Sequence, residues 1–203
     1  MQYVTRLLLT SFSAAVFTLS MAAFEPAEAK SRKGVSTKPD THVYLMRGLF
    51  GVFSLGMDDL AGKLQRDGFR AEVFGWDSWE QVTEIIERDF RHGQHEIVVI
   101  GHSLGANAVF QVAERLRSRN IPVLMGVTFD ATDPGRVPLN VSTFINFWAR
   151  DGFGHPVHAS PDYTGELQDF DLSSQSGIDH TSIDALDRFH VYVIGKLDEL
   201  VAR

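Results

Sequence analysis

The chain has 203 residues, 44% of them hydrophobic and 22% charged, with 19 Lys and Arg against 26 Asp and Glu for a net charge of -7. That balance excludes a disordered chain, and no basic block in the body points to nucleic acid as a partner. There is no cysteine, which removes disulfides, thiolate zinc sites, a catalytic thiol and a lipidated N-terminal Cys together.

In chain order, Arg6 supplies a positive start, Leu7 to Phe24 is apolar or small throughout, and Ala27-Glu28-Ala29 is a small-x-small cleavage site. Residues 1–29 therefore read as a secretory signal peptide. The competing reading, an uncleaved anchor, rests on an apolar stretch at the lower edge of what spans a bilayer. The expectation is a secreted or periplasmic bacterial protein whose membrane contact is limited to this leader, if it stays uncleaved. Residues 30–41 are polar and basic, with Pro39 near their end, and read as a flexible lead-in to a domain over 42–203.

The domain alternates strands and helices. Val43–Met46 is a short apolar strand. Met57, Leu60, Ala61 and Leu64 fall at helical spacing, and Gly68 ends that helix. Ala71–Trp76 is a second strand. Ser78 and Gln81 form a capping box for a helix with Trp79, Val82, Ile86 and Phe90 on one face. Glu96–Ile100 is a near-continuous apolar strand of the kind buried on both faces. Leu104–Arg117 is a helix, Ile121–Phe129 a fourth strand and Thr143–Ala149 a fifth. Residues 152–179 are loop-like. Thr181 and Asp184 read as a capping box that opens a long closing helix carrying Ile183, Leu186, His190, Val193, Ile194 and Leu197. This order predicts an α/β fold, a three-layer α/β/α sandwich around a mostly parallel sheet, with function at the carboxyl ends of the strands.

Gly101-His102-Ser103-Leu104-Gly105 lies where such a site belongs. The strand EIVVI runs into it and the helix LGANAVFQVAERL runs out of it, as a nucleophile elbow requires. Ser103 is the candidate nucleophile. The glycines keep a tight turn free of side chains, and the helix N-terminus aims its free N–H groups at the reaction centre. Arg47-Gly48-Leu49-Phe50-Gly51, after the first strand, is placed to supply a backbone N–H to an oxyanion hole. Leu49 is the preferred donor there, with Phe50 next, and Leu104 gives the other N–H.

A serine hydroxyl needs a base within hydrogen-bond reach. Eight histidines are present. His180, just before the closing helix, is the candidate. His42 precedes the core, His92 and His95 lie in a turn at the wrong end of the sheet, and His102 reads as structural. His155 and His158 lack a third nearby ligand, and His190 reads as a core or edge residue. The acid must follow a late strand. Asp130, at the end of VLMGVTF, is preferred, with Asp151 and Asp133 as alternatives. Phe50, Phe53, Phe147 and Trp148 fall near strand ends; most of them read as core residues, with an acyl groove as the alternative. Nothing calls for a metal or an organic cofactor.

With GHSLGA after a strand, the RGLFG loop and the order Ser103, Asp130, His180, the chain resembles the α/β-hydrolase superfamily. It looks like the small, lid-poor lipase/esterase and thioesterase-like members, in particular secreted bacterial ones with an Arg-Gly start followed by Ser-x-Gly-Met-Asp. Here that start is Arg47-Gly48 and then Ser54-Leu55-Gly56-Met57-Asp58, and the stretch FDATDPGRVPLNVSTFINFW is similar too. The resemblance implies a minimal α/β-hydrolase fold without its first two strands and without a cap domain. It implies a serine hydrolase acting on a small-molecule or lipid-like carboxylic ester through a Ser-His-Asp triad and an acyl-enzyme. An acyltransferase using the same triad and a non-catalytic binding protein on the same scaffold are the alternatives.

Overall fold

Six strands that lie side by side in the order β2-β1-β3-β4-β6-β8 form one sheet, and every neighbouring pair is parallel. The computed structural model describes residues 38–49, 55–150 and 153–202. The leader over 1–29, most of the lead-in, Phe50, Phe53 and Asp151 lie outside the described residues. The elements are β1 (Lys38–Arg47), α1 (Leu55–Arg66), β2 (Phe69–Gly75), α2 (Trp79–Arg91), β3 (Glu96–His102), α3 (Leu104–Arg117), β4 (Val123–Phe129), β5 (Arg136–Val137), β6 (Val141–Trp148), β7 (His158–Ala159), β8 (Glu166–Asp171) and α4 (Asp187–Val201). The short β5 and β7 pair separately.

The three layers follow from side-chain alternation along the strands. Val43 and Leu45 of β1, Val98 and Ile100 of β3, and Met125, Val127 and Phe129 of β4 bury against Met57, Leu60 and Leu64 of α1 and Phe189, Val193 and Leu197 of α4. Tyr44 and Met46, Ile97 and Val99, and Val123 bury instead against Val82 and Ile86 of α2 and Ala108, Val109, Val112 and Leu116 of α3. Each Val, Leu, Ile, Met or Phe among them contributes about 1.5–3 kcal/mol by leaving water. Strand order reverses between β1 and β3, because β1 leads outward to β2 while β3 leads the other way to β4. A crevice forms at such a switch point, beyond the carboxyl ends of the strands. The end of β1 and the Ser103 turn meet there.

Four details differ from the sequence expectation. First, β1 begins at Lys38, so the end of the 30–41 segment belongs to the sheet. Lys38 N donates to Gly68 O at 2.9 Å, and its ammonium pairs with Asp67 and Asp198. Second, Ser78 makes no capping hydrogen bond. It closes a 3-10 turn, Trp76–Ser78, that precedes α2. Third, the closing helix starts at Asp187, after a 3-10 turn at Ile183–Ala185 and an extended Leu186. The turn is fixed by Asp179, whose Oδ1 accepts from Thr181 N, Thr181 Oγ1 and Ser182 N at 2.9–3.0 Å. Fourth, the 152–179 stretch contains β8, the sheet's sixth strand. Its sequence ELQDFD is polar because it is an edge strand with only partial burial, and charge on an edge deters pairing with other chains.

Candidate active site

The turn after β3 carries Ser103, the candidate nucleophile. Ser103 has φ 57° and ψ -123°, a conformation that costs a residue with a side chain on the order of 1–3 kcal/mol. It is held because Ser103 N donates to Phe129 O at 3.0 Å and Ser103 O accepts from Asn107 N at 3.1 Å. Both flanking glycines are required by contact. A Cβ on Gly101 would lie 2.2 Å from Gly105 O, and one on Gly105 would lie 2.1 Å from Met46 O and 2.6 Å from Arg47 O. The second approach brings the end of β1 beside the start of α3. Leu104 is the first residue of α3, where an N–H has no partner inside the helix.

Asp130 follows β4 with φ 53° and is fully buried. Three N–H groups converge on its carboxylate. Ala149 N donates to Oδ1 at 2.9 Å, Phe153 N to Oδ2 at 3.1 Å, and His180 Nδ1 to Oδ2 at 2.6 Å. Gly154 is packed against it so closely that a Cβ there would lie 2.0 Å from Oδ1. Ser103 Oγ donates to His180 Nε2 at 2.9 Å. Serine, imidazole and carboxylate thus form one continuous hydrogen-bonded line, although 77 and 50 residues separate His180 from its two partners. Asp133 is exposed, and its backbone N–H bonds to Asn107 Oδ1 at 3.0 Å. Of the three acid candidates, Asp130 is the one that the described residues bring to His180.

No protein-family model matches the sequence, and no curated protein matches it. Solved structures do. A protein of the alpha/beta hydrolase superfamily from Xanthomonas campestris pv. campestris matches with a TM-score of 0.52 at 17% identity, over 78% of this chain and 99% of that one. Human thioesterase 2 matches with a TM-score of 0.53 at 15% identity, over 79% and 97%. The type II thioesterase BorB from the borrelidin biosynthetic cluster matches with a TM-score of 0.52 at 12% identity, over 81% and 94%. The chain has the α/β-hydrolase fold. At these identities the likeness carries the fold and no substrate.

Within this α/β-hydrolase fold, two clefts are lined by neighbours of the three residues. One, of about 490 Å³, is lined by Thr132, Trp148, Arg150, Phe153 and Gly154. Phe153 meets the His180 ring edge-on at 5.1 Å. The other, of about 420 Å³, is lined by Trp76, Leu104, Phe110 and Gly135. The bond from Asn107 Nδ2 to Thr132 Oγ1, 2.8 Å, joins a residue of the second cleft to one of the first. Phe153 and Gly154 were not legible as site residues, because their roles depend on a loop folding back onto Asp130. Phe147 does not line a groove. It is buried among Phe129, Phe170 and Phe189, with ring centres 4.7–5.2 Å away, and belongs to the core. Trp148 faces the first cleft, and its Nε1 donates to Asp169 Oδ2 at 3.1 Å.

Arg47 pairs with Asp58 through two hydrogen bonds, Nε to Oδ2 at 2.8 Å and Nη2 to Oδ1. The guanidinium holds the Asp58 carboxyl below its ordinary range. The pair ties the end of β1 to the first turns of α1. Asp59, Asp187 and His190 are close enough together to suit a cation. The Lys63 ammonium already serves them, at 2.6 Å from Asp59, 2.5 Å from Asp187 and 2.8 Å from His190 Nδ1.

Asp184 is a buried carboxyl outside the Ser-His-Asp line. Neither oxygen accepts a full hydrogen bond. Burial pushes it up to about 7, against the lowering pull of the α1 backbone N–H groups of Gly56 and Met57 and of His180. The folded chain therefore keeps this proton over a range where the unfolded chain, at 3.8, has released it. The stability due to this group falls as pH rises from about 4 to about 7. Asp184→Asn removes the slope. The urea midpoint of the variant minus that of the wild type is expected to rise between pH 5 and pH 8, and a difference independent of pH would contradict the assignment. His42 and His102, both lowered to about 4 chiefly by burial, act oppositely, withdrawing stability as pH falls from 6.5 towards 4.

Proposed function

We propose that the protein is a serine hydrolase that cleaves a carboxylic ester through an acyl-enzyme. The observation that carries this reading is the line from Ser103 Oγ through His180 to Asp130, at 2.9 and 2.6 Å, at the switch point of the sheet. Ser103 attacks the ester carbonyl while His180 Nε2 takes its proton. Asp130 holds the Nδ1–H tautomer and stabilises the imidazolium without becoming protonated. The backbone N–H groups of Leu104 and Leu49 receive the developing oxyanion. His180 then protonates the leaving alcohol, and a water, deprotonated by the same imidazole, releases the acid and restores Ser103.

A small-molecule or lipid-like ester suits an open site beside two clefts, one of them lined by Trp76, Leu104 and Phe110. The leader-like pattern of residues 1–29 supports export, with action outside the cytoplasm. Among the described residues no helix is long and apolar enough to cross a membrane.

The test is rapid mixing of the full chain with p-nitrophenyl acetate, butyrate and octanoate, with the matching thioesters alongside. A burst of product close to one equivalent per chain, followed by slower turnover, is expected, since an activated p-nitrophenyl ester acylates the serine faster than water releases the acyl-enzyme. Added glycerol separates an acyltransferase, which would form glyceryl esters in place of free acid. A folded chain with no turnover on any of these would favour a non-catalytic binding protein.

A further inference from the structure

The hydrogen bond that fixes the base from behind comes from the residue just before the nucleophile. His102 is the last residue of β3, pairs in register with Phe129 and is 1% exposed. Its Nε2 lies 2.7 Å from the backbone carbonyl oxygen of His180. The two rings are 5.0 Å apart and inclined by 40°. A carbonyl can only accept, so His102 Nε2 carries a hydrogen and donates. Burial lowers His102 to about 4, so the ring is neutral and its Nδ1, 3.8 Å from Asp184 Oδ2, carries no proton. The loop that bears His180 belongs to no strand or helix. It is anchored behind by His190 Nε2, which donates to Asp184 O at 2.6 Å, and within by the Asp179 turn. His180 is thus held by its side chain at Ser103 and Asp130, and by its main chain at His102.

We propose that His102 is a positioning residue for the reaction: its Nε2–H holds the His180 carbonyl, and so fixes the imidazole between Ser103 and Asp130. The inference rests on the hydrolase reading above. Because His102 and Ser103 are consecutive, the strand that carries the nucleophile also sets the position of its base. Without the donor, the part-buried carbonyl loses its partner and the loop can shift. A displacement of about 1 Å at a reacting group costs on the order of 100-fold in rate.

The test compares wild type, His102→Leu and His102→Gln in hydrolysis of p-nitrophenyl butyrate and in labelling by a fluorophosphonate. His102→Leu is expected to lose about 100-fold in kcat with KM little changed and the folded fraction unaltered by circular dichroism. His102→Gln, which keeps an N–H donor of similar reach, should recover most of that loss. The downfield proton resonance of the His180–Asp130 hydrogen bond should shift or broaden in the Leu variant and return in the Gln variant. Should His102→Leu not fold, nitrogen-15 spectra of the wild type decide, because His102 must remain neutral and protonated on Nε2 from pH 5 to pH 8. An Nδ1–H tautomer, or a folded Leu variant with wild-type kcat, would overturn the inference. A wild type that neither hydrolyses the ester nor labels would instead sink the hydrolase reading beneath it.

Discussion

Replacing Ser103 by Ala is expected to lower kcat on p-nitrophenyl butyrate by on the order of 10⁵- to 10⁶-fold, with the fold intact. The Ser103 side chain is joined to His180 and sits in a turn whose strained backbone an alanine shares equally. The substitution therefore removes the attacking oxygen and adds no strain, so the urea midpoint should move by no more than about 1 kcal/mol of stability. Groups that act as one unit do not add. The double variant Ser103→Ala with His180→Ala should thus be no slower than Ser103→Ala alone. Turnover within about tenfold of wild type in the single variant would mean that another group is the nucleophile.

Asp130→Asn is expected to cost about 10⁴-fold in kcat and to destabilise the chain as well. The carboxylate accepts from three N–H groups on its two oxygens, those of Ala149, Phe153 and His180. An amide has one accepting oxygen. Whichever way it turns, its NH₂ faces at least one buried donor, at a cost of about 1–3 kcal/mol. If it faces His180, the imidazole is driven to the Nε2–H tautomer, which cannot take the Ser103 proton. Both effects are measurable on one preparation, as kcat and as the urea midpoint. A loss of less than tenfold would indicate that a different acid serves His180.

The parts of the fold that alternate apolar side chains were legible in the sequence. Glu96–Ile100 reads as a doubly buried strand because Ile97 to Ile100 are all apolar, and the glycines of the elbow announce the close approaches at Gly101 and Gly105. Ser103, His180 and Asp130 were legible from their places at element ends. The preference for Asp130 over Asp133 turned on its position and on the resemblance of the FDATDPGR stretch; the three N–H donors that meet Asp130 are supplied only by the fold. What escaped was written in contacts rather than in pattern. β8 is an edge strand, so it has no apolar alternation. Asp184 stands where a capping residue would, yet its side chain is buried next to His102 and Gly56, and the helix waits until Asp187. Phe147, by contrast, belongs to the core as the sequence favoured, because Phe170 and Phe189 cover that side.

The proposed chemistry requires that Ser103 be an activated nucleophile. Treating the full chain with a fluorophosphonate, followed by intact and peptide mass spectrometry, tests this most directly. The result expected is one adduct per chain, on Ser103, lost in Ser103→Ala and in His180→Ala. A folded protein that stays unmodified, or an adduct on any other residue, would contradict it.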